Sequence, residues 1–211
     1  MINNVAYPII QRFGVEKFIE TGVYQGDTLM IVQDWFCEMF GSEFNTGPWG
    51  QGVKGKYQIY EIENNAEYCS NFIIPKAQKQ INVSIINSDS VEWLKRSIDL
   101  GELKEDDKCF FFLDAHQHNS PNPEPMRDEI EQILRLKNQI ICIDDWAVPG
   151  KNPDIYNTNM IRDLVKDRTD VVYYSDRHNF HGKWSIFIFL DQQSKNLQLK
   201  LVDLPLLGEY L

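Results

Sequence analysis

Three aspartates stand where two apolar runs stop. Asp114 follows Cys109-Phe110-Phe111-Phe112-Leu113, and Asp144-Asp145 follows Gln139-Ile140-Ile141-Cys142-Ile143. Neither run alternates polar with apolar residues, which marks strands buried on both faces of a helix-covered parallel sheet. If those strands are neighbours, three carboxylates converge on one cleft, and like charges so close disfavour folding unless a cation neutralises them. An all-oxygen set suits Mg²⁺, Ca²⁺ or Mn²⁺ rather than zinc. The competing reading has Asp145 capping a helix and Asp114 binding a backbone amide or a cofactor. His116 and His118 lie just past Asp114. A histidine titrates near neutrality and suits removal of a proton from a substrate hydroxyl, so His116 is a candidate base. The plainer role is a loop histidine that hydrogen-bonds in place.

A second polar group sits earlier. Glu20-Thr21-Gly22-Val23-Tyr24-Gln25-Gly26 follows the first strand-like run, and glycines there let backbone approach a ligand outside the carboxyl ends of the strands. Only two glycines are present, so the dinucleotide fingerprint G-x-G-x-x-G is not met. Glu61, in Tyr60-Glu61-Ile62-Glu63, reads as the end of the next strand, where a carboxylate can accept both hydroxyls of a ribose. Asn87-Ser88-Asp89-Ser90 follows the third strand and either contacts a base or caps the next helix.

The elements that must position these residues alternate. Strand-like runs at Glu16–Glu20, Tyr57–Ile62, Val83–Ile86, Cys109–Leu113 and Gln139–Ile143 are separated by amphipathic stretches: one beginning at Asp27-Thr28, then Ala66–Gln80 with Pro75 inside it, Val91–Leu100 and Pro125–Leu136. Residues 41–56, with five glycines and Pro48, break all periodicity and form a loop insertion. A helix near Thr158–Lys166 precedes Val171–Tyr174 and Trp184–Leu190. The linker between these last two is too short for a parallel crossover, so they pair antiparallel. Leu197–Leu201 is a further candidate edge strand. The pattern is one α/β domain over residues 1–211. It predicts a doubly wound, Rossmann-like, mostly parallel sheet of about seven strands with an antiparallel C-terminal hairpin and helices on both faces.

Composition narrows the partners. With 21 Lys+Arg against 31 Asp+Glu, the net charge of -10 offers no basic surface for a phosphate backbone, so nucleic acid and anionic membrane are not expected. The four cysteines form no C-x-x-C pair, and Cys109 and Cys142 lie in apolar runs as free thiols would in a reducing compartment. The start of the sequence lacks a signal-peptide pattern and no stretch approaches 18 apolar residues, so a cytoplasmic, soluble protein is expected. The apolar tail Leu204–Gly208 is a candidate homodimer surface.

Taken in order, E-T-G-V-Y-Q-G-D-T, Y-E-I-E-N-N, I-I-N-S-D-S, F-F-L-D-A-H and I-C-I-D-D-W resemble the class I S-adenosylmethionine-dependent methyltransferases. Within them the chain is similar to the small metal-dependent, catechol-type O-methyltransferases and bacterial relatives with L-D-A-H and I-D-D motifs, over positions 15 to 190. The resemblance implies that Glu20, Thr21, Gly22, Tyr24 and Gly26 wrap the methionine part of S-adenosylmethionine, with Glu61 on the ribose and Asp89 and Ser90 near the adenine. It further implies Mg²⁺ or another divalent cation on Asp114, Asp144 and Asp145, with Asp114 also beside the cofactor. Methyl transfer to the hydroxyl of a small-molecule acceptor would follow. Two departures stand out: the 41–56 insertion, and Gln117-His118 where those enzymes carry a lysine. Rival readings are a nicotinamide-dependent oxidoreductase, a non-catalytic binding module, and a metal-dependent hydrolase using Asp114, His116 and Asp144.

Overall fold

The computed structural model describes residues 2, 5–40, 57–77, 82–115, 125–146, 158–169, 172–175, 184–192, 196, 201 and 209–210. For residues 37, 38, 40, 77, 145, 146, 158, 159, 172–175, 184, 209 and 210 it describes the backbone alone. The strands are β1 (Lys17–Thr21), β2 (Gln58–Glu63), β3 (Val83–Asn87), β4 (Cys109–Leu113), β5 (Ile140–Trp146), β6 (Val172–Ser175), β7 (Trp184–Phe189) and β8 (Glu209–Tyr210). The helices are α1 (Ala6–Phe13), α2 (Asp27–Phe40), α3 (Ala66–Tyr68), α4 (Ile74–Ala77), α5 (Ser90–Asp99), α6 (Pro125–Ile133) and α7 (Thr158–Val165), with a π-helical turn Cys69–Ile73 between α3 and α4.

One sheet runs in the order β3-β2-β1-β4-β5-β7-β6-β8. The first five strands are parallel, and β7, β6 and β8 pair antiparallel. The sheet therefore has the expected mixed character, with eight strands among the described residues rather than about seven, the two-residue β8 adding an edge. Of the anticipated edge strand at 197–201 only Leu201 is described, and it is helical.

Side-chain parity splits the core in two. Phe18, Ile59, Phe110, Phe112, Cys142 and Phe187 point toward α1, α2 and the π turn. Ile19, Ile62, Phe111, Leu113, Ile141 and Ile186 point toward α5, α6 and α7. Every residue of β4 is buried, as its unbroken apolar run requires. The π turn has a local cause. Pro75 has no N–H to give the carbonyl of Asn71, and just before it Ile74 N–H reaches back five residues to Cys69 O. The single helix expected over Ala66–Gln80 is thereby broken into segments, and 78–80 lie outside the described residues.

Helix α1 carried no clear signal in the sequence. It is short, and its stabilisation comes from burying Ala6, Ile9 and Ile10 against the sheet.

Candidate functional site

Strand order reverses between β1 and β4: from β1 the chain first builds outward through β2 to β3, then returns to β4 on the other side. The chain leaving β1 enters α2 on one face, and the chain leaving β4 leads to α6 on the other. In open α/β sheets the crevice outside the carboxyl ends at such a switch point is where ligands bind.

Gly22 closes the floor of that crevice. Its φ is +75°, and a Cβ there would stand 2.5 Å from Ala115 Cα, so only glycine lets the β1 turn pack on the chain leaving β4. Gly22 N–H donates to Ile62 O (3.0 Å), and Asp114 N–H donates to Thr21 O (3.0 Å). These bonds stitch the ends of β2, β1 and β4 together. The turn is closed by Gly26 N–H donating to Val23 O at 2.9 Å. Between them Tyr24 is held at φ 52°, an uncommon conformation for a residue with a side chain, and the residue is 45% exposed. The ring packs edge-on against Tyr68, 4.9 Å between centroids.

Glu63 holds Tyr24 in place. Its carboxylate accepts from Tyr24 N–H (2.8 Å) and from Asn65 N–H (2.9 Å), and its carbonyl accepts from Asn87 Nδ2 (2.9 Å). Glu63 is the last residue of β2. Glu61 is therefore not at the strand end, as its motif suggested, but two residues inside it, and it is wholly buried. The sequence signal that would have found Glu63 is the Asn65 cap that follows it, since a helix starting at 66 leaves 63 as the last strand position.

Glu61 instead pairs in register with Glu20 across the β1–β2 ladder. Both lie on the face of Phe18 and Ile59, beneath the glycine turn. Glu20 Oε2 and both oxygens of Glu61 have no hydrogen-bond partner. Burial pushes Glu61 up to about 8, while the nearby Glu20 carboxyl draws it back down without reaching hydrogen-bond geometry. Burial, then the charges of Glu61 and Asp114, hold Glu20 well above the usual carboxylate range.

Asp114 directly follows β4, and Asp144 lies in β5, the parallel neighbour of β4. The ladder runs as far as Leu113↔Ile143, so the strands that lead to the two carboxylates are neighbours. Burial raises the Cys142 thiol, with the charges of Asp144 and then Asp114 adding to the shift. Asp144 Oδ1 accepts from Ser185 Oγ at 3.0 Å. Asp145 follows Asp144 in β5 and only its backbone is described; His116, His118 and the 41–56 insertion lie outside the described residues. Among the described residues no group of three or more His, Cys, Asp and Glu side chains could hold a metal ion.

Asp89 caps α5, its Oδ1 accepting from Glu92 N–H at 3.0 Å, which is the helix-capping reading of that motif. Ser90 begins the helix. A carboxyl absent from the sequence reading also belongs to this neighbourhood: Glu129 of α6 is wholly buried beside Thr21 and Ser90. A cavity of about 230 Å³ lined by Phe13, Val15, Lys108, Cys109 and Ile140 lies at the amino ends of the strands, away from all of these groups.

No protein-family model and no curated protein sequence matches the chain. Solved structures do. The O-methyltransferase TomG from Streptomyces achromogenes, in complex with S-adenosylmethionine, superposes with a TM-score of 0.56 at 12% identity, over 90% of this chain and 82% of TomG. The chain has the fold of that enzyme. CmcI, with Mg and S-adenosylmethionine, gives 0.53 at 16% identity, covering 87% of this chain and 69% of CmcI. Spermidine synthase from Thermotoga maritima gives 0.54 at 10% identity, covering 88% and 57%. Enzymes of different named activities share this architecture, so the fold sets where a ligand lies and leaves the reaction to the site.

Proposed function

We propose that the protein is an S-adenosylmethionine-dependent methyltransferase acting on a hydroxyl oxygen of a small molecule. The observation that carries the reading is the switch-point crevice. Its floor needs Gly22, and its rim is fixed by the carboxylate of Glu63 on the backbone of Tyr24. The fold shared with S-adenosylmethionine-bound TomG supports it.

The residues present fit the cofactor. Each Glu63 carboxylate oxygen has a lone pair beyond the one used by Tyr24 or Asn65 N–H, so Glu63 can accept the two hydroxyls of a ribose. This assignment moves the ribose contact from Glu61 to the strand end. The glycine turn from Gly22 to Gly26 receives the methionine portion, with the exposed ring of Tyr24 at its lip. Asp89 and Ser90, at the start of α5, border the adenine side. The cofactor's sulfonium makes its methyl group an activated electrophile, so the chain's task is alignment and exclusion of water rather than covalent catalysis.

A divalent cation on Asp114, Asp144 and Asp145 is part of the proposal. The donor set is all oxygen, and Asp114 and Asp144 follow or lie in neighbouring parallel strands. Such an ion would lower the pKa of an acceptor hydroxyl and orient it. His116 is proposed as the base that takes the hydroxyl proton. A carboxylate-bound ion chelates vicinal oxygens well, so catechols, sugar diols and polyhydroxylated natural products are the acceptor class.

The test is transfer of a labelled methyl group from S-adenosylmethionine to a panel of vicinal diols and matched single hydroxyls, with and without Mg²⁺. Labelled ether product from diols, dependent on Mg²⁺ and reduced in Asp144→Ala, is expected. Label on nitrogen or sulfur acceptors alone would contradict O-methylation.

A further inference from the structure

The turn from Val23 to Gly26 is closed by one backbone hydrogen bond, and the first of its two central residues, Tyr24, has a positive φ. A turn with positive φ at that position favours glycine, asparagine or aspartate. A tyrosine held there costs free energy and persists only where the surroundings fix it. The fixing comes from one stretch of chain, Glu63 to Lys76, which ends β2 and runs on into α4.

Glu63 takes the Tyr24 N–H, and Tyr68 packs on the Tyr24 ring. Lys76, in α4, takes the other half of the turn. Its Nζ donates to the carbonyl of Gln25 at 2.6 Å and to Asp27 Oδ1 at 2.8 Å, so one ammonium binds the residue before Gly26 and the residue after it. Its stem lies over Gly26 itself, where a Cβ would stand 3.7 Å from Lys76 Cδ and 3.6 Å from Ile73 Cγ1. Asp27 is the first residue of α2, so the contact joins α4, the glycine turn and α2.

The π turn sets this reach. A continuous α-helix over the same residues would aim Lys76 roughly a quarter turn away about the helix axis, since the π turn winds its residues more loosely. The Lys76 side chain is 29% exposed and that of Asp27 63%. An ion pair so open to water contributes little to stability, so the consequence of Lys76 lies in the shape of the turn.

We propose that Lys76 is a positioning residue for the cofactor. It latches the far half of the glycine turn while Glu63 fixes the near half, and together they hold the backbone in the form that receives the methionine portion of S-adenosylmethionine. This inference rests on the reading of the crevice as the S-adenosylmethionine site. Lys76 donates to protein oxygens and does not touch the cofactor. Without its ammonium the turn spends part of its time open, and affinity falls in proportion to the fraction of molecules that remain closed.

The experiment is calorimetric titration of the full chain with S-adenosylhomocysteine on wild type, Lys76→Met and Lys76→Arg, with thermal unfolding and amide hydrogen exchange of the ligand-free proteins. Methionine keeps a stem over Gly26 and removes the charge, whereas arginine can still donate to both oxygens. Lys76→Met is expected to bind about five- to tenfold more weakly while its Tm stays within about 3 °C of wild type. Its amides at 22–27 are expected to exchange faster than in wild type, with those of β4 unchanged. Lys76→Arg is expected to recover affinity to within about threefold of wild type. Wild-type affinity in Lys76→Met overturns the proposal, and so does exchange at 22–27 no faster than in wild type. A Lys76→Arg as weak as Lys76→Met overturns it too, as does a Lys76→Met that fails to fold, which would make the residue part of the structural core. Absence of binding to wild type would instead overturn the cofactor reading, and exchange at 22–27 would still report whether Lys76 holds the turn.

Discussion

Glu20 and Glu61 face each other in register across the β1–β2 ladder, both carboxyls sealed beneath the glycine turn and three of their four oxygens without a hydrogen-bond partner. Two anions in that position would repel in a medium with little water to screen them, and burial with this repulsion holds both carboxyls above the usual carboxylate range.

Stability should therefore depend on pH in a definite direction. Glu61 is raised from 4.5 to about 8, and Glu20 is raised as well. A group raised in the folded state binds a proton that the unfolded chain releases, so its contribution is whole below about 4.5, declines as pH rises, and is gone above about 8. Urea denaturation at pH 5.5 and 8.5 should show a loss on the order of a few kcal/mol for wild type. Glu61→Gln should show a clearly smaller loss. An equal loss in both proteins would mean that the pair is not the origin.

Gly22→Ala should be among the more damaging single-atom additions in the chain. The new Cβ meets backbone at 2.5 Å, which cannot move aside as a side-chain tip could, and the φ of +75° is itself unfavourable for alanine. A loss of about 2 kcal/mol or more is expected, which is a drop of roughly 4–8 °C in Tm for a chain of this size. Gly26→Ala, whose nearest contact is a side-chain atom at 3.6 Å, should cost less, since it carries the φ penalty without a backbone collision. Thermal unfolding of the two variants decides the order, and a larger loss for Gly26→Ala would contradict the packing account.

The metal assignment predicts stabilisation by mass action. Mg²⁺ at about 100 times its dissociation constant should add about 2.7 kcal/mol to the folded state. Asp114→Asn and Asp144→Asn should each abolish that increment while remaining folded, which unfolding with and without Mg²⁺ measures directly. An increment that survives both substitutions would place the ion elsewhere.

Much of the architecture was legible in the sequence for simple reasons. Cys109–Leu113 and Gln139–Ile143 are too short for helices and too apolar for exposed strands, and the glycine turn between Glu20 and Gly26 marks a strand-to-helix corner. Strand ends were harder. In Tyr60-Glu61-Ile62-Glu63 both acids share a face, and periodicity of two reads the same when shifted by two residues, so Glu61 and Glu63 were interchangeable until the Asn65 cap fixed where β2 stops. Glu129 was invisible because a carboxylate in an amphipathic helix is ordinarily on the wet face. Helix α1 escaped notice because its eight residues gain their stability from tertiary packing rather than from local propensity.

The measurement that bears most directly on the central claim is calorimetric titration of the wild-type chain with S-adenosylmethionine, alongside Glu63→Ala and NAD(H) as a competing ligand. The account predicts saturable binding of S-adenosylmethionine in a one-to-one ratio, weakened about 10- to 100-fold in Glu63→Ala, since hydrogen bonds to a charged group contribute roughly 1.5–3 kcal/mol. It predicts no binding of NAD(H). Failure of the wild type to bind S-adenosylmethionine, or equal affinity in wild type and Glu63→Ala, would contradict the assignment of the switch-point crevice as the cofactor site.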